Sequence, residues 1–347
     1  MLPPVDRRRF FAEGGAAVLL CTLAGHKVRL DKPADVEALA AGLAVPPKVA
    51  AHEARQLPLP TPAPDGSGTR REYWIRAERV KWDIVPTGRD EMMNEKVKGR
   101  TAFDAFAYRQ YTANFEKPMG PALIPGPLLE GEVGDTIVVN FQNMVKPPVS
   151  MHPHGIFYAN EMDGAYKGKF TDPGGFVQHG RTFQYVWECH AGTAGNWLYH
   201  DHGPMDPIPL YKGLFGPLVI RKKGEARPDA EFFLTLHSFP PLATALRNNY
   251  SCINGRSHAG NTPTLRAQVG QSVAFRVFAL DNDFHTFHLH GHRWTDDDGG
   301  KVIDTKTMGP GESISAEFVE DNPGRWFYHC HVFSHLHMGM NGWYIVS

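Results

Sequence analysis

The chain of 347 residues lacks several features that would place it in common classes of protein. It has no long block of lysine or arginine and a formal net charge of −1, so no surface for binding nucleic acid is indicated. No run of 18 apolar residues occurs, and no ordinary transmembrane helix is predicted. Helical periodicity is nearly absent, although the length suffices for two ordinary domains with a sizeable core.

The first 70 residues have no predicted core of their own. The stretch DRRRFF (Asp6–Phe11) precedes the apolar run AAVLLCTLAG (Ala16–Gly25), an order that is typical of a twin-arginine export signal. The alternative is a basic N-terminus before a small helix, because the apolar run is short and no clear cleavage site follows. Residues 46–70 are rich in proline and glycine and indicate an extended linker. We therefore predict a leader and linker over residues 1–70 and a periplasmic or secreted protein.

An internal repeat organises the rest of the chain. The segment VGDTIVVNFQN (Val133–Asn143) matches VGQSVAFRVFA (Val269–Ala279), and GNWLYHDH (Gly195–His202) matches GRWFYHCH (Gly324–His331). A glycine turn followed by alternating apolar residues is typical of a strand. The fixed order predicts a duplicated domain, and two Greek-key β-sandwiches in an all-β fold fit it best. The predicted limits are 71–224 for domain 1 and 225–347 for domain 2.

Histidine occurs in four H-x-H doublets at corresponding places in the two copies. Residues i and i+2 of a strand point to the same face, so each doublet would aim two imidazoles together. Eight imidazoles are too many for one ion and favour a metal cluster, and copper stands highest in affinity for such ligands. Zinc is the alternative, but its structural sites prefer cysteine and its catalytic sites usually take three protein ligands. The doublets are His152/His154, His200/His202, His288/His290 and His329/His331.

The stretch RWFYHCHVFSHLHMGM (Arg325–Met340) predicts a second kind of metal site. On its strand Cys330 faces away from the flanking histidines, so it can bind a separate metal. Two histidines, one cysteine and a weak axial methionine are typical of a blue-copper electron-transfer site. The predicted ligands are His285, Cys330, His335 and Met340.

The first copy lacks this second site. Asp201 stands where the second copy has Cys330, and Asp206 stands where the second copy has His335. We therefore predict one mononuclear site per chain, in domain 2.

These motifs resemble those of the multicopper oxidases and, more narrowly, of the two-domain bacterial laccases, also called small laccases. HPHG, HDHG, HTFHLHGH and HCHVFSHLHMGM occur in the order of that family, and the resemblance covers about residues 71–347. It implies two cupredoxin domains and four copper ions per chain. The implied ligands are His285, Cys330, His335 and Met340 for type 1 copper, His152 and His288 for type 2, and His154, His200, His202, His290, His329 and His331 for the type 3 pair.

The resemblance also implies an assembly and a reaction. Each domain supplies half of the cluster ligands, so a homotrimer could pair domain 1 of one chain with domain 2 of the next, as closed rotational symmetry permits. The implied substrates are dioxygen and a small reductant, with phenols and aromatic amines as the default. Ferrous or cuprous ion is an alternative, but the 11 methionines are scattered rather than gathered in a soft-metal insertion.

Three residues near the doublets are candidate catalytic residues. Asp163 occupies a place where similar proteins use an acid for proton delivery, which dioxygen reduction requires, but it can equally form an Asx turn. Asp201 is either a rival relay or an acceptor that orients its neighbours. Tyr158 is either redox-active beside the cluster or a packed aromatic residue.

Two cysteines and two other functions stay open. Cys189 and Cys252 could pair in an exported protein or remain as buried thiols. A copper nitrite reductase shares the duplicated plan but carries its blue-copper site in the first domain. An electron-transfer or copper-binding protein would need only the mononuclear motif. We expect a metal count to separate an oxidase with four ions from a reductase with two and a carrier with one.

Overall fold

The structure is a computed structural model that describes residues 19–23, 26–30, 68–205, 207–296 and 300–347. The predicted twin-arginine pattern at Asp6–Phe11, most of the predicted linker and Asp206 lie outside these ranges. The first two strands, β1 (Leu19–Leu23) and β2 (His26–Leu30), form an antiparallel pair.

The first β-sandwich consists of two four-stranded sheets around one core. Its strands are β3 (Arg70–Asp83), β4 (Arg89–Asp90), β5 (Glu95–Lys96), β6 (Ala102–Tyr111), β7 (Leu129–Glu132), β8 (Thr136–Asn143), β9 (His152–Pro153), β10 (Thr182–Glu188), β11 (Gly195–His200) and β12 (Phe215–Arg221). The sheet orders are β10-β8-β3-β6 and β7-β12-β11-β9, with β4 and β5 paired separately. Short helices connect them: 3₁₀ turns at Ala113–Phe115, Asn160–Met162 and Ala191–Thr193, and α1 (Ile208–Tyr211).

The second β-sandwich repeats this plan. Its strands are β13 (Ala230–Phe239), β14 (Tyr250–Ile253), β15 (Leu265–Ala267), β16 (Ser272–Ala279), β17 (His285–Leu289), β18 (Trp294–Thr295), β19 (Val302–Ile303), β20 (Thr305–Met308), β21 (Ser313–Val319), β22 (Gly324–Cys330) and β23 (Asn341–Val346). The main sheets run β14-β13-β16-β21 and β15-β23-β22-β17-β20. Its helices are α2 (Pro241–Thr244) and α3 (Phe333–His337).

The repeat in the sequence is a repeat in the structure. Strands β8 and β16, which carry the matched apolar segments, each follow a glycine with positive φ, Gly134 at 101° and Gly270 at 91°. Each pairs in parallel with the first long strand of its own copy, β3 or β13. The duplicated all-β fold predicted from the sequence is thus confirmed.

A third apolar cluster joins the two sandwiches. It contains Trp82 and Phe103 from the first copy and Phe239 from the second, with the two phenylalanine rings 4.9 Å apart. The Trp82 indole N–H donates to the Gly255 carbonyl at 2.6 Å. Strands β12 and β13 on either side of residue 224 belong to different sheets, although the domain limits themselves stay a prediction. No helix in the described ranges combines the length and apolarity needed to cross a membrane.

Candidate metal centres

The four histidines of the first copy gather at the end of one sheet. His152 on β9 lies opposite His200 on β11, and His154 and His202 follow each by two residues. Centroids of contacting rings lie between 5.0 and 5.7 Å apart. The Nε2 atoms of His154 and His200 are 2.9 Å apart.

The second copy has the same arrangement. His288 on β17 lies opposite His329 on β22, with His290 and His331 beside them. Centroids of contacting rings lie between 4.8 and 5.4 Å apart, and the Nε2 atoms of His290 and His329 are 3.1 Å apart. As predicted, the two histidines of each doublet lie on the same side of the sheet. The second histidine of each doublet, however, lies beyond the end of its strand rather than within it; these are His154, His202, His290 and His331.

Backbone hydrogen bonds fix the orientation of the buried histidines in both sets. His200 donates from Nδ1 to the Asp201 carbonyl at 2.8 Å, and His329 donates from Nδ1 to the Cys330 carbonyl at 2.9 Å. A neutral ring that donates from Nδ1 carries its lone pair on Nε2, which is the metal-binding form. Burial, assisted by neighbouring imidazoles, lowers the pKa of His200 to about 3 and that of His329 to about 4. These rings are therefore neutral near pH 7.

The distances within each set fit a metal ion. Two nitrogen ligands about 2.0 Å from one ion, at an angle of about 90 to 100°, lie about 2.8 to 3.1 Å apart. The Nε2 pairs of both sets fall within this range or at its edge, at 2.9 and 3.1 Å. Three ligand atoms in each set also lie within 4.8 Å of one another, from His152, His154 and His200 and from His288, His290 and His329.

The Nδ1 atoms of the partly exposed His152 and His288 also have partners. His152 donates from Nδ1 to the Asp163 carbonyl at 2.7 Å, and His288 Nδ1 lies 2.9 Å from the Asp304 carbonyl and 2.8 Å from the Thr305 hydroxyl. The Asp304 carbonyl thus lies at hydrogen-bonding distance from His288 in the second copy, as the Asp163 carbonyl does from His152 in the first. Sequence reasoning missed Asp304 because it reaches His288 through the pairing of β17 with β20, which residue spacing does not reveal.

The two sets do not meet within one chain. Among the described residues, no ring contact and no group of ligands at metal distance joins a histidine of the first copy to one of the second. His290 and His331 are exposed at the surface of the second sandwich. Each chain therefore presents two separate half-sets of four imidazoles.

The mononuclear ligands predicted for domain 2 come together in its interior. Cys330 Sγ lies 3.9 Å from His285 Nδ1 and 3.6 Å from His335 Nδ1, and all three residues are buried. Metal bonds of about 2.3 Å to sulfur and 2.0 Å to nitrogen at a trigonal angle would separate the donors by about 3.7 Å. Burial opposes ionisation of the Cys330 thiol, but hydrogen bonds from the two histidines prevail and lower its pKa to about 6. A thiolate with two imidazoles is a donor set that suits copper.

The loop after β22 brings the fourth predicted ligand alongside. Helix α3 carries His335, whose carbonyl accepts the Met340 N–H at 2.9 Å. The Met340 carbonyl in turn accepts the Cys330 N–H at 3.1 Å, and the Met340 side chain is fully buried. His337 on the same helix is exposed.

The first copy keeps two backbone hydrogen bonds of this site with other side chains. The Asp201 carboxylate accepts the Ser150 N–H at 2.7 Å, as Cys330 Sγ accepts the Thr286 N–H at 3.3 Å. The Asp201 N–H donates to the Leu214 carbonyl at 3.0 Å, so Leu214 corresponds to Met340. Asp201 is fully buried, and its contact with Ser150 holds the backbone next to His152.

The other two candidate catalytic residues lie next to His152. The Asp163 carboxylate is 3.1 Å from His152 Nδ1 and 2.9 Å from Lys167 Nζ. Tyr158 hydrogen-bonds to Asp163, and its ring centroid is 6.2 Å from that of His152. Burial opposes ionisation of Asp163, but Lys167 and His152 prevail and lower its pKa, while burial and Asp163 raise the pKa of Tyr158 to about 12. The pair combines a carboxylate with a protonated phenol.

Cys189 and Cys252 are both free and buried. Cys189 belongs to the core of the first sandwich and Cys252 to the cluster between the sandwiches, and burial raises the pKa of both thiols. Of the two possibilities left open by the sequence, the structure has the unpaired thiols.

Comparison with known proteins agrees with this geometry. Two family models described as multicopper oxidase match residues 122–225 and 235–347, together well over half of the chain. A probable nitrite reductase-hydroxylamine oxidoreductase fusion protein of Kuenenia stuttgartiensis is 32% identical over 65% of this chain and 28% of its own length, and mouse hephaestin is 28% identical over 81% and 30%. The chain thus spans less than a third of these relatives.

A solved structure of a multicopper oxidase superposes with a TM-score of 0.64 at 23% identity, covering 83% of this chain and 92% of that one. This similarity confirms the predicted cupredoxin-like fold. The two matched family models, which together contain all twelve predicted ligands, identify the chain as a member of the multicopper oxidase family.

Proposed function

We propose that this protein is a laccase-like oxidase that removes single electrons from small aromatic reductants and reduces dioxygen to water. The arrangement around Cys330 supports this proposal most directly. Its sulfur lies between His285 and His335, while its backbone continues into His329 and His331 of the second half-set. The residues of the two kinds of site are therefore covalently adjacent, which suits transfer of electrons from one to the other.

The donor sets favour copper as the resident metal. His285, Cys330, His335 and Met340 would hold one ion, and the eight doublet histidines would hold three in the type 2 and type 3 roles given above. Bound copper would supply one-electron chemistry at the mononuclear site and the binding and reduction of dioxygen at the cluster.

Asp163 would relay protons beside the cluster. Its carboxylate contacts His152 and Lys167 and accepts a hydrogen bond from Tyr158. Because its pKa is lowered, the carboxylate is ionised near neutral pH and would carry a proton only briefly, while passing it from solvent towards the cluster. Tyr158 keeps its proton under the same conditions and orients the carboxylate.

The surface over His335 favours an aromatic reductant. The Asp283 carboxylate is 3.9 Å from His335 Nε2 and 64% exposed, and Phe284 beside it is 57% exposed. An aromatic ring beside one carboxylate suits a phenol or a protonated arylamine, which can stack and donate a hydrogen bond. Oxidation of ferrous ion is the alternative, and faster turnover with that ion than with arylamines would favour it.

The half-sets support assembly of the cluster between chains. Each half-set offers four imidazoles, and His290 and His331 of the second are exposed in the single chain. A ring of three chains would set the first half-set of one subunit against the second half-set of the next. We propose this homotrimer, with a periplasmic or secreted location that follows from the predicted export signal.

A nitrite reductase is the second function considered, because one relative carries that name. Its blue-copper site would lie in the first copy, where Val149, Asp201 and Leu214 stand in place of a histidine, the cysteine and the methionine. A one-metal electron carrier would leave the eight doublet histidines without a role.

Oxygen uptake by the copper-loaded protein with a phenol tests the proposal. We expect four copper ions per chain, an intense blue band and phenol-dependent oxygen uptake. Cys330→Ser should lose the band and the uptake but still fill the cluster, whereas Cys189→Ser, which changes an equally buried thiol, should keep both. A Cys330→Ser variant that stays blue and active would contradict the assignment, and nitrite-dependent turnover with two copper ions per chain would favour the reductase.

A further inference from the structure

Two aspartates of one short loop face the outer nitrogens of the mononuclear histidines. Residues 280–284 join β16 to β17. Asp281 Oδ1 lies 3.4 Å from His285 Nε2, and Asp283 Oδ2 lies 3.9 Å from His335 Nε2. The two carboxylates differ in their surroundings, because the Asp281 side chain is 3% exposed and that of Asp283 is 64% exposed.

The backbone at Asp281 is strained. Its φ is 124°, which residues with a side chain rarely adopt and which costs about 1 to 3 kcal/mol. Neighbouring contacts maintain this conformation. Asp281 Oδ1 accepts the Asp283 N–H at 2.8 Å, and the buried Leu280 donates its N–H to the Leu236 carbonyl at 2.9 Å. The strain serves to hold a carboxylate inside the protein at this point.

In the described part of the chain, each of the two facing groups keeps one buried atom without a hydrogen-bond partner. Among the described residues, Asp281 Oδ2 and His285 Nε2 are buried and make no hydrogen bond. A buried polar atom without a partner costs free energy, so a small movement that joins the two is favoured. When His285 binds a metal through Nδ1, its proton resides on Nε2 and points at the Asp281 carboxylate.

A carboxylate in this position has a definite effect on a bound metal. It fixes the ring orientation and raises the basicity of the ligand nitrogen. Its negative charge, shielded from water, also favours the more positively charged, oxidised state of the metal. Asp283 should have little effect on the charge state of the metal, because solvent screens its charge.

We propose that Asp281 is a positioning residue of the mononuclear site that orients His285 and lowers the reduction potential of that site. The inference rests on the proposed function, because it assumes that copper binds there. It assigns no comparable effect to Asp283, which belongs to the same loop and serves as the matched control.

The test is a redox titration of the blue band in the copper-loaded full chain. Asp281→Asn keeps the size of the side chain and removes its charge. We expect it to raise the ratio of reduced to oxidised copper at a fixed potential about tenfold, equivalent to 59 mV for one electron, with the blue band retained. Asp283→Asn should change the ratio less than about twofold.

A second measurement does not depend on a variant. In the cuprous protein, the nitrogen-15 spectrum of His285 should show a protonated Nε2 whose hydrogen exchanges slowly with solvent. An unchanged ratio in Asp281→Asn, an equal shift in Asp283→Asn, or an unprotonated Nε2 would overturn the assignment of Asp281 alone. Absence of a copper-dependent blue band in the unaltered chain would overturn the proposed function as well.

Discussion

Two inactive variants should restore each other's activity if the cluster forms between chains. His154 and His290 occupy corresponding places in the two half-sets, and each lies about 3 Å through Nε2 from a buried partner, at 2.9 Å from His200 and 3.1 Å from His329. We expect His154→Ala and His290→Ala each to abolish oxygen reduction. Both should keep the blue band, because neither residue contacts Cys330.

The size of the recovery follows from the separation of the half-sets. In a mixed trimer, an intact cluster forms where a His290→Ala chain supplies the first half-set and a His154→Ala chain supplies the second. Random assembly from equal amounts places this combination at about one quarter of the interfaces. A cluster built within one chain would give no intact site, because every chain carries one damaged half.

Co-expression of the two variants with different affinity tags, followed by purification on both tags, is the assay. Oxygen uptake per blue centre should reach about a third of the unaltered value, because selection on both tags removes the trimers of a single variant and every mixed trimer has one intact interface in three. The control is to mix the two variants after each has assembled separately. This mixture should show no oxygen uptake until the subunits exchange. Doubly tagged trimers with full blue absorbance and no oxygen uptake would refute assembly of the cluster between chains.

Three further predictions concern stability. Glu231 pairs with Arg221 of the first sandwich and Arg276 of its own sandwich, which lowers its pKa against the effect of burial. Glu231→Gln should lower the free energy of unfolding by about 2 to 4 kcal/mol at pH 7. Urea unfolding should show this loss shrinking as the pH falls below about 4.5 through the folded pKa, because the carboxylate of the unaltered protein then becomes protonated. Gly155→Ala should lower the free energy of unfolding by about 3 kcal/mol or more, because the added Cβ would lie 2.0 Å from the Trp197 ring. Gly88→Ala is the control, because Gly88 has nearly the same φ but open space around it. In thermal melts it should cost only about 1 kcal/mol. Phe103→Ala should lower the free energy of unfolding by about 3 to 5 kcal/mol, because Phe103 belongs to the cluster between the sandwiches. In calorimetry the two sandwiches should then unfold in separate transitions. A single unchanged transition would contradict the role of that cluster.

Local patterns in the sequence predicted the fold and the pairing of histidines well. The apolar alternation of Val133–Asn143 and its copy at Val269–Ala279 predicts strands because side chains of a strand alternate between core and solvent. Doublets at matched positions predict half-sets because the fold is duplicated.

The parts that the sequence could not supply depend on contacts between distant segments. Asp304 meets His288 only because β17 and β20 pair in one register, and no spacing rule connects the two residues. The position of Asp281 follows from a positive φ that is unusual for any residue except glycine, so local preference would predict it wrongly. Burial of Cys189 and Cys252 in separate clusters likewise depends on how the sandwiches pack, not on where the cysteines fall in the chain.

The two copies differ at the mononuclear site in side chains and in the length of the following loop, but they share two backbone hydrogen bonds there. Ser150 and Thr286 donate the same N–H to a carboxylate in one copy and to a thiolate in the other. A buried acceptor at this point therefore satisfies a hydrogen bond that the fold requires, whether or not a metal is present. Metal binding then depends on what surrounds the acceptor, and helix α1 of the first copy is buried throughout with the sequence IPLY, without any histidine. Replacing Asp201 by cysteine alone would accordingly preserve the fold and still provide no copper site.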